Sequence, residues 1–290
     1  MAPPYPPSAA AAAAARLLLF SVLIAASFSC SAAAAGDVPR ALTLDSVRES
    51  LIRQEDSIVF SLLERAMHRR NSAAYDSSFL PPASLAEFFV RQSEIISAKA
   101  GRYLNPEEVP FFPDYLPEPL VHPHSPPQVL LHPASATVNV SKEIWRIYTR
   151  EMVALFTEEG DDGDHGSTVA SDLVLLQALS RRIHYGRFVA EVKFRDAPDD
   201  YIPLIKSKDR VGLMELLTFA DVEESVKRRV EKKAMLFGQN VTLDDKAGRN
   251  NTGGRGKYKV DPEVAARIYG EWVIPLTKLV QVEYLLRRLH

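Results

Sequence analysis

From Leu179 to Phe194 the chain reads Leu-Ser-Arg-Arg-Ile-His-Tyr-Gly-Arg-Phe-Val-Ala-Glu-Val-Lys-Phe, and its apolar spacing admits one local structure. Leu175, Leu179, Arg182, Gly186, Val189 and Lys193 recur at intervals of four, three, four, three and four. That is the repeat of a helix face turned toward a core. Two of these positions are cations. Arg182 and Lys193 lie eleven residues apart, which at about 100° per residue returns them to within roughly 20° of one another, about 16 Å along the axis. A charge on an inward stripe is costly unless something pairs with it. Two unpaired cations at that separation, with Gly186 between them for clearance, suit a small dianion.

Two further stripes carry the same anomaly. One reads Leu44, Arg48, Leu51, Glu55, Ile58 and Leu62, with charges where a core would place leucine. The other reads Ile274, Thr277, Gln281, Leu285 and Arg288. The plainer alternative is that Arg182 pairs with Glu55 while the other polar groups sit at solvated helix edges.

Helical periodicity extends over 44–69, 83–103, 141–157 and 171–194, with short helices at 199–206 and 210–217. Thr218 with Asp221 three residues on reads as a capping box for a helix through Phe237. Residues 244–257 read as a polar, Gly-rich loop. Asp261-Pro262-Glu263 opens a final helix, with a kink expected at Pro275. Nine prolines between 105 and 133 predict an extended surface connection. No hairpin signature appears, so the expected fold is all-α, one multi-helix bundle without significant sheet.

With 35 basic and 37 acidic residues, the chain lacks the basic footprint of nucleic-acid binding. Anion recognition must come from local cations. The one cysteine, Cys30, lies in an N-terminal apolar run, Leu17 to Cys30, so a mature chain without that run has no thiol chemistry. Arg16 precedes the run, and Ala-x-Ala cleavage is offered near Ala35. Residues 1–36 therefore read as a targeting leader of secretory type, followed by a domain at 37–290. A plastid transit peptide or an uncleaved cytosolic product is the alternative. The run is short for a membrane span, and no stable membrane association is expected after cleavage. Sequons at Asn139, Asn240 and Asn250 permit glycosylation in a secretory product.

Several other motifs read as bland. Gly253-Gly254-Arg255-Gly256-Lys257 lacks P-loop spacing. His122, His124 and His132 sit among prolines, and Asp161-Asp162-Gly163-Asp164 lacks the later ligands of a calcium loop. Lys227-Arg228-Arg229 and Lys232-Lys233 read as a solvated helix face.

The runs 47–58, 179–194 and 270–289 together resemble the all-helical chorismate mutases of plants and fungi, most closely the plant members. The similarity extends from about Leu42 to the C-terminus. What it implies is a homodimeric enzyme without cofactor or metal. It would rearrange chorismate to prephenate by a Claisen reaction, toward phenylalanine and tyrosine. Carried over by position, Arg48 and Arg182 would clamp carboxylates, and Lys193 would donate to the ether oxygen. Glu223 would bind the ring hydroxyl, although a solvated helix carboxylate is an equal reading there. Thr277 would contact a carboxylate, and Glu55 would orient Arg182 through an ion pair. Gln281 would be the second donor to the ether oxygen, where fungal members have a glutamate that must be protonated. The fungal asparagine at the position of Phe219 has no counterpart. With Lys193 and both arginines charged well above neutrality, activity is expected to stay nearly flat from about pH 6 to 9. The family's aromatic amino acid effector site is matched in part, by Arg102 and by Gly166-Ser167, while its second arginine is Gly101 here. The rival reading is a secreted, catalytically silent helical protein that dimerises with an active mutase.

Overall fold

The computed structural model describes residues 42–122, 130–239 and 258–290. The leader, the Asn240 and Asn250 sequons, His124 and the 244–257 loop lie outside the described residues. Helix starts follow side-chain chemistry. Helix α1 (Leu44–Arg65) opens on Thr43, whose Oγ1 accepts from Ser46 N–H at 3.2 Å while Ser46 Oγ accepts from Thr43 N–H at 3.0 Å, a reciprocal cap. Ser84 caps α2 (Leu85–Lys99). A segment of α3 (Ser141–Ile147) continues through a π-helical turn (Tyr148–Met152) into α4 (Val153–Phe156). Asp164 caps α5 (His165–His184) through Ser167 N–H.

Tyr185 separates α5 from α6 (Gly186–Asp196). Tyr185 N–H still donates to Arg181 O at 2.9 Å, but Tyr185 O receives both Phe188 N–H at 3.0 Å and Val189 N–H at 3.3 Å. The single helix expected over 171–194 is therefore two helices. Next come α7 (Pro198–Lys206), α8 (Arg210–Leu217) capped by Asp209, and α9 (Ala220–Phe237). The capping box expected at Thr218 and Asp221 does not form. Phe219 is the N-cap residue of α9 and gives no side-chain bond, while Thr218 Oγ1 donates back to Met214 O at 2.7 Å. Asp261 caps α10 (Pro262–Ile268), which passes through a π-helical turn (Tyr269–Val273) into α11 (Ile274–Leu286). The irregularity falls before Pro275, where the wider turn accommodates a ring that would clash with the carbonyl of a preceding α-turn.

Among the described residues there is no sheet, only isolated bridges at Leu80–Ala83 and Gln239–Tyr258. Leu42–His290 cluster as one unit, with α1 packed on α5 and α6 packed on α11. One core runs through Val47, Ile58, Leu62, Leu176, Leu179, Ile183, Val230, Ile268 and Val280. Buried polar groups brace it. Arg65 Nε donates to Asp172 Oδ1 at 2.6 Å, and Tyr148 and Tyr75 donate to the same carboxylate at 2.5 and 2.8 Å. The remaining Arg65 donors close the end of α1 on the carbonyls of His68, Arg69 and Arg70. The Pro-rich connection is only partly superficial. Glu94 accepts from Phe111 N–H at 2.7 Å and Phe112 N–H at 2.9 Å, and Phe111 and Leu131 enter the core.

Candidate active site

The polar stripes of α5–α6 and of α11 meet where these helices pack, while Arg48 and Glu55 of the α1 stripe find other partners. Arg182, in the last turn of α5, is 5% exposed. Its Nη1 donates to Thr277 Oγ1 on α11 at 3.3 Å, and its guanidinium lies 5.9 Å from the Tyr269 ring centroid. No carboxylate lies within ion-pair distance of Arg182 among the described residues, and its Nε has no hydrogen-bond partner. Burial, before any other cause, holds this guanidinium below its ordinary value, with Tyr269 and Glu55 opposing. Thr277 and Gln281 are buried one turn apart on α11. Thr277 Oγ1 donates to Val273 O at 2.6 Å, and Gln281 Nε2 makes one long bond to Thr277 O at 3.4 Å. Gln281 Oε1 is buried without a partner. Gly186 allows the helices this close. A Cβ there would stand 2.7 Å from Thr277 O and 3.4 Å from Gln281 Cγ. The clearance expected of Gly186 therefore serves the crossing of α6 with α11.

Lys193, two turns further along α6, is half-buried. Its Nζ sits 4.4 Å from the Phe219 ring centroid. Burial first, and the positive charge of Arg48 second, lower its pKa to about 8, with Glu223 opposing. The expectation that Lys193 stays charged well above neutrality is corrected to a limit near pH 8. Glu223, in the first turn of α9, pairs with Lys278 Nζ at 2.9 Å. Arg48 is exposed rather than inward, and its Nη1 donates to Asp45 Oδ1 at 3.3 Å.

Glu55 is fully buried, as its stripe implies, but Arg182 is not its partner. Arg229 on α9 donates to it bidentately, Nε to Oε2 at 2.8 Å and Nη2 to Oε1 at 2.6 Å. Lys233 Nζ adds a contact at 3.1 Å. The expected Glu55–Arg182 ion pair is thus replaced by a Glu55–Arg229–Lys233 cluster, with Glu55 still acting on Arg182 through space. Arg229 and Lys233 are the residues that sequence reasoning missed by assigning them to a solvated face. Their four-residue spacing puts both on one side of α9, and a buried Glu55 in need of cations was the available signal.

The expected effector residues are not joined within one chain. Arg102 donates from Nε and Nη2 to Glu108 Oε2 at 3.2 and 3.0 Å, and from Nη1 to Gln177 Oε1 at 2.9 Å. Arg181 donates to the other oxygen of Glu108. Gly166 and Ser167 lie in the first turn of α5, ten or eleven residues before Gln177, roughly 15 Å along a helix. At position 101 φ is +82°, and a Cβ would collide with Val121 O. An arginine does not fit there without rebuilding the loop.

Residues 166–282 match the family model described as chorismate mutase type II. Chorismate mutase 2 of Arabidopsis thaliana is 59% identical over 252 residues, 86% of this chain and 94% of that protein. The cytosolic chorismate mutase 2 of Zea mays is 55% identical, covering 89% of this chain and 99% of its own length. The chain belongs to the chorismate mutase family. Two solved chorismate mutase structures superpose with a TM-score of 0.76 at 46% identity, covering 88% of this chain and 99% of theirs. They are AtCM1 with tyrosine bound in its allosteric site and the chloroplast enzyme from Zea mays. Membership agrees with the geometry. A chorismate mutase has a dianion to hold, and this site keeps Arg182 in a dry place without an acid to neutralise it.

Proposed function

We propose that this chain converts chorismate to prephenate, and that the residues gathered around Arg182 carry the reaction. The observation that supports this most is Arg182 itself. A guanidinium buried without a carboxylate, with Nε unbonded, costs the fold several kcal/mol by general experience of buried ions. A substrate carboxylate supplies the missing charge and accepts bidentately from the planar fork. Arg48 turns from Asp45 to take the second carboxylate, and Thr277 Oγ contributes a bond beside Arg182. Lys193 and Gln281 donate to the ether oxygen, where negative charge grows as the C–O bond breaks and the C–C bond forms. Glu223 accepts from the ring hydroxyl. Glu55 anchors Arg229 and Lys233 and adds a negative charge near Arg182. The rearrangement transfers no proton, so catalysis rests on holding the compact conformer and stabilising the developing charge. Following chorismate loss spectrophotometrically with residues 37–290 tests the reading, and no acceleration over the uncatalysed rate overturns it. The silent rival has no residue in its favour, since Arg182, Lys193, Thr277 and Gln281 all retain competent groups.

We further propose a homodimer whose effector pockets take aromatic amino acids. The separation of Arg102 from Gly166-Ser167 within one chain supports a pocket completed by a second copy, as does tyrosine in the allosteric site of AtCM1. Relatives named cytosolic and chloroplast support those compartments over the secretory one. A reporter fused to residues 1–36 that enters the endoplasmic reticulum overturns that placement.

A further inference from the structure

Two of the site's three cations, Arg182 and Lys193, share a kind of neighbour. Arg182 lies over the ring of Tyr269 and Lys193 over the ring of Phe219. An aromatic face attracts a cation without cancelling its charge, so the site keeps its full positive charge for a dianion. By contrast Arg288, over Phe194, is neutralised by Glu191 at 2.8 Å. Phe219 is also out of place by local rules. It occupies the N-cap of α9, where Ser, Thr, Asn or Asp would bond a free N–H, and the residue is 52% exposed. The flanking residues fix its position. Lys278 Nζ on α11 contacts Thr218 Oγ1 at 3.3 Å and Glu223 at 2.9 Å, so the start of α9 is tied down on both sides of the ring.

We propose that Phe219 is a positioning residue of this site, whose ring holds the Lys193 ammonium at its place facing the substrate without neutralising it. The inference rests on the reading that Lys193 donates to the ether oxygen. The charged groups facing Lys193 are Arg48 from α1 and Glu223 from α9, the latter paired with Lys278 from α11. Arg48 and burial favour the neutral amine, and Glu223 and the ring favour the cation. Replacing the ring by an aliphatic side chain removes the π face while leaving an apolar neighbour, and so disfavours the cation.

The test compares Phe219→Leu and Phe219→Trp with the wild type in the full chain. Two readouts are the pH profile of kcat/KM and the titration of Lys193 by NMR of 13Cε-labelled lysine, assigned with Lys193→Arg. In Phe219→Leu both should move to lower pH by about half a unit, the worth of an exposed cation–π contact. Relative to the wild type, kcat/KM should then be reduced about threefold more at pH 9 than near pH 6.5. Phe219→Trp should keep the wild-type limb or move it upward. If Lys193 titrates in Phe219→Leu as in the wild type, or if Leu and Trp shift it equally, the proposal is overturned. If the NMR titration moves while the kinetic limb stays, the fault lies in the role given to Lys193, and the proposal falls with it.

Discussion

At the residue scale, the site sacrifices stability for charge. Arg182→Leu removes a buried cation that no acid neutralises, so it should raise stability by about 1 kcal/mol or more while lowering kcat/KM by several orders of magnitude. Denaturant melts and the chorismate assay check both. A variant that is strongly destabilised, or that keeps a tenth of the activity, shows Arg182 to be structural. If Lys193 donates to the ether oxygen as proposed, its pKa, lowered by burial to about 8, should keep kcat/KM level from about pH 6 to 7.5 and make it fall about tenfold per unit above about pH 8.5. The folded-state value lies below that of an unfolded lysine, so the unfolded chain binds more protons between the two values. This group's contribution to stability therefore rises with pH through that window. Gln281 adds no titration of its own. Gln281→Glu should bring in a second loss of rate at lower pH, because a carboxylic acid donates only while protonated. A variant profile superimposable on the wild type's removes Gln281 from the ether oxygen.

At the element scale, the contact of α6 with α11 governs the geometry. Gly186→Ala drives a methyl to 2.7 Å from Thr277 O, a backbone atom that cannot swing aside. The helices must part, at a cost of about 1–3 kcal/mol. Because Thr277 and Gln281 ride on α11, kcat/KM should fall by tenfold or more even where the variant stays folded. Wild-type activity and melting together would show that the close approach is incidental. This crossing was half legible in the sequence. The glycine on an apolar stripe was visible, but its partner was not, since nothing local to 186 names residue 277. The boundary between α5 and α6 was missed for a related reason. Hydrophobic spacing continues unbroken through Tyr185, and only the hydrogen-bond pattern changes.

At the scale of the whole molecule, charge pairing across helices decides which buried cation is left without an acid. Glu55 takes Arg229 and Lys233 from α9 and leaves Arg182 free. Arg102 is similarly engaged by Glu108 and Gln177 at the end of α2. An effector that draws on Arg102 must compete with these acceptors, and it regulates only by binding two states unequally. Millimolar tyrosine, phenylalanine or tryptophan should therefore shift the dependence of rate on chorismate. Rate curves that overlay with and without all three amino acids would show the partial pocket to be idle.

Periodicity and capping chemistry alone determined that the chain is helical, where most helices start, and that Arg182, Lys193, Thr277 and Gln281 lie on inward faces. Those properties are local, fixed by spacings of three and four residues and by side chains bonding their own backbone. Only the tertiary structure decided who meets whom. The Glu55 partners are separated from it by more than 170 positions, and Phe219 reaches Lys193 from another helix. Burial, which brings Lys193 to about 8, depends on every helix packed around it. Sequence spacing cannot encode such pairings, because acids and bases attract whichever opposite charge the packing brings close. In this fold the packing brings Glu55 to α9 and leaves the guanidinium of Arg182 unneutralised.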